Sequence, residues 1–273
     1  MVRTTTLRVV SATYQPTTNK MLFPISDDNK GISGPAYVTW VLLAINIGVF
    51  LLQMSDESIT SGWSIIPREI MTGVDLVEPQ TVTVGGQEHT IPQAPGPPII
   101  YLTLLSHMFM HGGFGHIFGN MLYLWIFGDN VEHRFGHFLF FVFYIISGLV
   151  AALAQLMVSP DGVIPNLGAS GAIWGILGAY VVLFPRNQVK AIVFYMIVSI
   201  PAVFVIGLWA ALQIYQGFFA GGGELGGVAH LAHIGGLVAG LAMGFVAKGF
   251  IKTEPDSTIY REYVGDPKSK KWW

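Results

Sequence analysis

The chain has 273 residues, of which 52% are hydrophobic and only 11% are charged. Soluble domains carry about 25% charged residues, so this composition excludes an ordinary soluble domain and predicts an integral membrane protein. The absence of cysteine excludes disulfides and thiolate metal sites.

Long apolar stretches follow one another along the chain, and their spacing predicts an all-α bundle of six transmembrane helices. A tail at residues 1–35 precedes this membrane domain, which covers residues 36–250, and a second tail follows at residues 251–273. The predicted spans are residues 36–53, 114–128, 137–157, 169–184, a fifth span whose first turn contains Pro201, and residues 227–248.

The connections between the spans differ in length and character. The first loop, residues 54–98, is long, polar and rich in Gly and Pro, and its "TVTVGGQEHTI" stretch predicts a small hairpin. An interfacial segment ends at His111, before the Gly112–Gly113 break. Residues 129–136, "DNVEHRFG", are predicted to form a short charged turn, and a second interfacial piece precedes the fifth span.

Basic residues alternate between these connections. Both tails, the second loop and the fourth loop carry Lys or Arg, whereas the third and fifth loops carry none and the long first loop has only Arg68. Because Lys and Arg are enriched in cytoplasmic segments, both termini are predicted to be cytoplasmic and the first loop external. The second, fourth and sixth spans then run from outside to inside.

Each of these three spans carries polar groups, which are costly in a bilayer and therefore candidates for function. The second span carries His116 and Asn120, which share a helix face because they are four residues apart. The fourth begins at Ser170, and the sixth carries His233. Each group lies roughly 20–22 Å of helix from the inner end of its span, which predicts one common depth about 8–10 Å below the outer surface.

Small residues surround the candidate serine. Gly168 and Gly171 flank Ser170 closely, and Ser170 is predicted at a helix start, where backbone N–H groups are unpaired and the dipole is positive. Taken alone, such a run is more often a helix-packing surface. On the sixth span, however, a face of glycines shared with His233 allows the two helices to approach closely; these are Gly236, Gly240 and Gly244.

This arrangement predicts acyl transfer. His233 is placed to take the proton of Ser170 as a general base, and His116 and Asn120, with the Ser170 backbone N–H, are placed to stabilise an oxyanion. The second, fourth and sixth spans carry no carboxylate at this depth. A Ser-His dyad is therefore predicted rather than a triad.

Three segments resemble the signatures of the bacterial-type rhomboid intramembrane serine proteases: "GASGAIWG", "AHLAHIGGLVAG" and "HMFMHGGFGHIFGN". The resemblance covers about residues 36–250 and includes "GDNVEHRFG" after the second span. It implies Ser170 as nucleophile, His233 as base, and His116 and Asn120 as oxyanion partners. It also implies auxiliary positions, where Trp174 replaces a tyrosine that stacks on the base in some members; these are His107, His111, Gly168 and Trp174.

The resemblance implies an endopeptidase that cuts single-span membrane proteins within or near the outer ends of their transmembrane segments. It implies a multi-pass protein of the bacterial inner or plasma membrane, in contact with the lipid bilayer, with no cofactor, metal or nucleic-acid partner. Two alternatives stay open. One is a catalytically inactive rhomboid-like protein that binds membrane helices, and the other is a metal or haem membrane protein that uses the eight histidines.

Overall fold

A computed structural model describes residues 23–28, 34–84, 86–193, 195–218 and 229–250. Most of the predicted N-terminal tail, the predicted C-terminal tail and the predicted start of the sixth span at residue 227 lie outside the described residues.

The described residues are mostly helical, and long apolar helices dominate. Three of them have the length and hydropathy needed to cross a membrane: α1, α6 and α9. The helical membrane fold class is thereby confirmed, and the count of six spans stays a prediction. The helices are α1 (Tyr37–Ser55), α2 (Glu57–Trp63), α3 (Pro67–Thr72), α4 (Thr103–Ser106), α5 (Phe114–Phe135), α6 (His137–Val158), α7 (Ser170–Leu183), α8 (Ala202–Phe218) and α9 (His230–Phe250).

Helix α5 is longer than predicted. The expected turn at residues 129–136 is wrong, since α5 continues to Phe135 and only Gly136, at a φ of 77°, separates it from α6. The buried Glu132 carboxylate near its end accepts the backbone N–H groups of Val38 and Thr39 at 2.8 and 2.7 Å, and the Thr39 hydroxyl at 2.7 Å. The charges that suggested a turn instead cap the first turn of α1.

Two small antiparallel sheets accompany the helices. The predicted hairpin of the first loop is confirmed, as β2 (Gln80–Val84) pairs with β3 (Gln87–Ile91). The predicted interfacial piece before the fifth span is a second hairpin, β4 (Gln188–Val193) and β5 (Met196–Pro201). A strand in the predicted N-terminal tail, β1 (Phe23–Asp27), pairs with β4, which gives the order β1-β4-β5. Helix α8 begins directly after Pro201, as expected.

Helix α7 lies at the centre of the bundle, with almost every residue buried. Its close approach to α9 depends on glycine. A Cβ added at Gly236 would collide with the Gly171 carbonyl, and one added at Gly240 would collide with the Gly175 carbonyl. One added at Gly178 would lie 2.5 Å from the Leu237 carbonyl oxygen. The glycine face thus brings the backbones of α7 and α9 together.

Candidate active site

Ser170 and His233 are in direct contact, although they lie on different helices. Ser170 is the first residue of α7, and His233 lies in the first turn of α9. The His233 Nε2 atom is 2.8 Å from the Ser170 Oγ atom, and His233 is only 9% exposed. The close approach at Gly171 and Gly236, one residue beyond Ser170 and three beyond His233, sets this distance.

The other ring nitrogen of His233 contacts a residue that the sequence analysis did not single out. Its Nδ1 atom lies 2.9 Å from the Oε1 atom of Gln213 on α8, and the Nδ1 atom of His230 lies 2.7 Å from the same oxygen. A signal was available, because a glutamine inside an apolar predicted span is itself a functional candidate. Trp174 stacks on the His233 ring, with centroids 5.6 Å apart and planes inclined by 23°.

His116 lies on the opposite side of Ser170 from His233. Its Nδ1 atom accepts the Gly112 backbone N–H at 3.3 Å, so a neutral ring carries its proton on Nε2. That Nε2 atom faces Gly168, where an added Cβ would lie 2.8 Å from it and 3.6 Å from the Ser170 Oγ atom. An N–H donor is therefore directed at the space beside the serine hydroxyl.

Asn120 follows His116 by one helical turn on α5. It is 7% exposed, and its Nδ2 group has no hydrogen-bond partner among the described residues. A buried amide donor without a partner is costly, and such exceptions occur at sites where the partner arrives with the substrate.

The two earlier histidines support the backbone around this site. The His107 carbonyl accepts the Gly168 N–H at 2.9 Å, and its Nδ1 atom donates to the Thr103 carbonyl at 3.1 Å. Gln53 of α1 accepts the His111 backbone N–H at 2.9 Å. The His111 ring meets the His116 ring edge-on, with centroids 5.2 Å apart. Neither imidazole has a recorded contact with Ser170.

The described residues thus bring four predicted groups together around one hydroxyl: an acceptor imidazole, a donor imidazole, an unpaired amide and the start of a helix. Among these residues, no three His, Asp or Glu side chains are arranged to hold a metal ion. The arrangement suits the formation of an acyl intermediate on Ser170.

Comparison with known proteins agrees with this geometry. The Rhomboid domain family matches residues 100–250. Rhomboid protein 1, mitochondrial, of Saccharomyces cerevisiae is 27% identical over 217 residues, which cover 77% of this chain and 53% of that protein. RHOMBOID-like protein 5 of Arabidopsis thaliana is 33% identical over 147 residues, which cover 52% of this chain and 43% of that protein.

A bacterial relative carries the name of a protease. Rhomboid protease GluP of Bacillus subtilis is 32% identical over 146 residues, which cover 54% of this chain and 27% of that protein. The chain therefore spans about half the length of these relatives or less. Because the family match covers more than half of the chain, including α5, α7 and α9, this chain belongs to the rhomboid family, whose members are generally intramembrane serine proteases.

Proposed function

We propose that this protein is an intramembrane serine endopeptidase that hydrolyses peptide bonds within or near the outer ends of transmembrane segments, with Ser170 as nucleophile and His233 as general base. The observation that carries the proposal is the 2.8 Å contact between the Ser170 hydroxyl and the His233 imidazole. The similarity to a protein named as a rhomboid protease supports the same reaction.

In the proposed mechanism, the Ser170 Oγ atom attacks the substrate carbonyl while His233 Nε2 takes its proton. The oxyanion accepts hydrogen bonds from His116 Nε2–H, the Asn120 amide and the Ser170 backbone N–H. His233 then donates the proton to the leaving amine, and the C–N bond breaks. A water molecule, deprotonated by His233, hydrolyses the acyl-enzyme and regenerates the serine.

The substrate must expose a peptide bond to Ser170. A transmembrane helix keeps its carbonyl groups hydrogen-bonded internally, so the segment has to unwind before attack. We therefore propose substrates that are single-span proteins with Gly, Pro or other weak helix formers near the outer end of the span. The basic residues of the tails favour cytoplasmic termini in a bacterial inner or plasma membrane, which puts Ser170 nearer the outer surface.

The direct test is cleavage of a fluorogenic transmembrane substrate in proteoliposomes by the wild type and by Ser170→Ala. Cleavage by the wild type alone supports the protease. A substrate that is bound but not cut by both proteins supports an inactive rhomboid-like binder. Stoichiometric metal or haem in the purified protein supports the third alternative.

A second experiment tests the depth of the cut. A strong cleavage segment is moved from the outer third of a model span to its inner third, and in a separate substrate its helix breakers are replaced by Leu. Both changes are expected to suppress cutting. Equal cutting at the inner position would contradict the proposed orientation and depth.

A further inference from the structure

We propose that Gln213 is a positioning residue that holds His233 in the tautomer able to accept the Ser170 proton; this inference rests on the proposed function of the same site. The Gln213 Oε1 atom lies 2.9 Å from Nδ1 of His233 and 2.7 Å from Nδ1 of His230. An amide oxygen has two lone pairs, so it accepts both N–H groups at once.

The tautomer follows from this contact. A neutral imidazole carries one proton, and Nδ1–H donation to Gln213 leaves the Nε2 lone pair of His233 directed at the Ser170 hydroxyl. If the amide turned over, its NH₂ group would face both Nδ1 atoms, and both rings would have to change tautomer. His233 Nε2 would then carry a proton and could not accept the one from Ser170. His230, as a second donor, therefore opposes the unproductive arrangement.

A glutamine suits this location physically. In soluble serine proteases a buried carboxylate orients the base, but burying an ion costs several kcal/mol even after relaxation, and the cost persists within a bilayer. The amide oxygen of Gln213 gives the orientation without a buried charge. The sequence-based expectation of a dyad is thereby extended: a third side chain stands where a triad has its acid, and it is neutral.

The kinetic test compares two identical substitutions on α8. Gln213→Leu removes the acceptor, and Gln216→Leu makes the same change at an exposed position one turn later. We expect Gln213→Leu to lower kcat by about 10²-fold or more with little change in KM, and Gln216→Leu to behave like the wild type. Equal kcat values for the two variants would overturn the proposal.

Gln213→Glu keeps an acceptor in either orientation and adds a charge. We expect it to retain activity and to move the acidic limb of the kcat/KM profile to higher pH, because a carboxylate stabilises the imidazolium. The other titratable groups facing His233 are His230 on α9 and His116 on α5, and both are unchanged in every variant. A profile that does not move would contradict a contact between residue 213 and the base.

Nitrogen-15 NMR of labelled histidine in the Ser170→Ala background separates this proposal from the proposed function, since it requires no turnover. The His233 signal is expected to report a protonated Nδ1 with Gln213 and a mixture of tautomers with Gln213→Leu. Identical signals refute the role of Gln213 even if the protein is a protease. A difference supports it even if no substrate is cut.

We also infer, from a separate part of the molecule, that the β1-β4-β5 sheet inserts one face into the bilayer. The sheet lies along α5: the Phe23 ring stacks on Phe118 with centroids 6.4 Å apart, and Asp27 accepts the Asn130 amide at 2.5 Å. Phe118 and Asn130 are separated by about 18 Å of helix. Strand β1 therefore runs along the lower part of a helix of 22 residues.

The two faces of the sheet differ in polarity. On one face Val189 and Ala191 are completely buried against the helices. On the other face a paired row is apolar and exposed; it consists of Phe23, Ile192 and Ile197, at 42%, 39% and 66% exposure. The next row towards the charged end of α5 is polar and consists of Ser26, Lys190 and Ser199.

This pattern fits lipid rather than a protein partner. The apolar row continues the outward surface of Phe118, which is 61% exposed on α5. Lys190 is the only charged residue of β4 and β5, and it lies about 7 Å along the strand from Ile192. An ammonium on a flexible stem can reach anionic headgroups from that position. The occupant is therefore the leaflet on the side of Glu132, with acyl chains at Ile197 and phosphates at Lys190.

The cysteine-free chain allows a direct test with single spin labels in liposomes of phosphatidylglycerol and phosphatidylethanolamine. A label at Ile197→Cys is compared with one at Leu139→Cys, on the exposed face of α6, and one at Thr83→Cys, on the polar β2–β3 hairpin. We expect Ile197 to match Leu139, with high access to oxygen and low access to a water-soluble nickel chelate. Access to nickel like that of Thr83, or access to neither reagent, would overturn the proposal.

Discussion

Gly168→Ala tests the oxyanion site through backbone geometry. Gly168 has a φ of 130°, and an added Cβ would lie 2.8 Å from His116 Nε2 and 2.9 Å from His116 Cε1. The imidazole would have to retreat by about 0.6 Å to restore an ordinary contact of 3.4 Å. The left-handed backbone adds strain of about 1–3 kcal/mol, which is smaller than the usual stability of a folded protein.

The expected consequence is loss of one oxyanion donor. Removal of such a donor typically lowers turnover by about 10²–10³-fold, so Gly168→Ala should lower kcat by that factor while the protein stays folded. Gly112→Ala is the matched control, because it flanks the same ring on the Nδ1 side. There an added Cβ meets only His116 Nδ1, at 3.7 Å, and kcat should change by no more than a few-fold.

The assay is cleavage of a fluorogenic transmembrane substrate in proteoliposomes, with thermal unfolding of each variant measured in parallel. Equal activities for Gly168→Ala and Gly112→Ala, at equal folded fractions, would refute the argument that His116 Nε2 faces the reacting oxygen. A loss of folded protein confined to Gly168→Ala would be corrected for by titrating the intact sites before rates are compared.

Three other substitutions are expected to separate catalysis from stability. Asn120→Ala should lower turnover by about 10²–10³-fold, whereas Asn166→Ala, in the loop before α7, should not; equal losses would contradict the assignment. Glu132→Ala leaves buried donors unpaired at about 1–3 kcal/mol each, so its thermal midpoint should fall far below that of Glu88→Ala at an exposed position. Burial raises the pKa of the Asp27 carboxyl from 3.8 to about 7. Stability measured by chemical denaturation should therefore fall as pH rises through that interval, and Asp27→Asn should remove this part of the slope.

The helical bundle and the centre of the site were predictable from local patterns. Apolar length locates the spans, and helical periodicity places His116 and Asn120 on one face. The glycines beside Ser170 and His233 indicate that two helices meet closely. These inferences need only the residues on one helix and a common depth, and the structure brings Ser170, His233 and His116 together as that depth requires.

Contacts between distant segments were not predictable in the same way. The charges of residues 129–136 suggested a turn, but Glu132 is satisfied by α1, nearly a hundred residues away. Strand β1 forms only because β4 offers it a partner, and Gln213 reaches His233 only through the packing of α8 on α9. Such pairings depend on tertiary context, which overrides local propensity.

The most direct test of the central claim is labelling by a fluorophosphonate probe, followed by mass spectrometry of the modified peptide. The wild-type protein should be labelled at Ser170, because the neighbouring imidazole activates that hydroxyl. His233→Ala should lose the label although Ser170 is still present. Labelling at another residue, or undiminished labelling of Ser170 in His233→Ala, would contradict a nucleophile at Ser170 activated by His233.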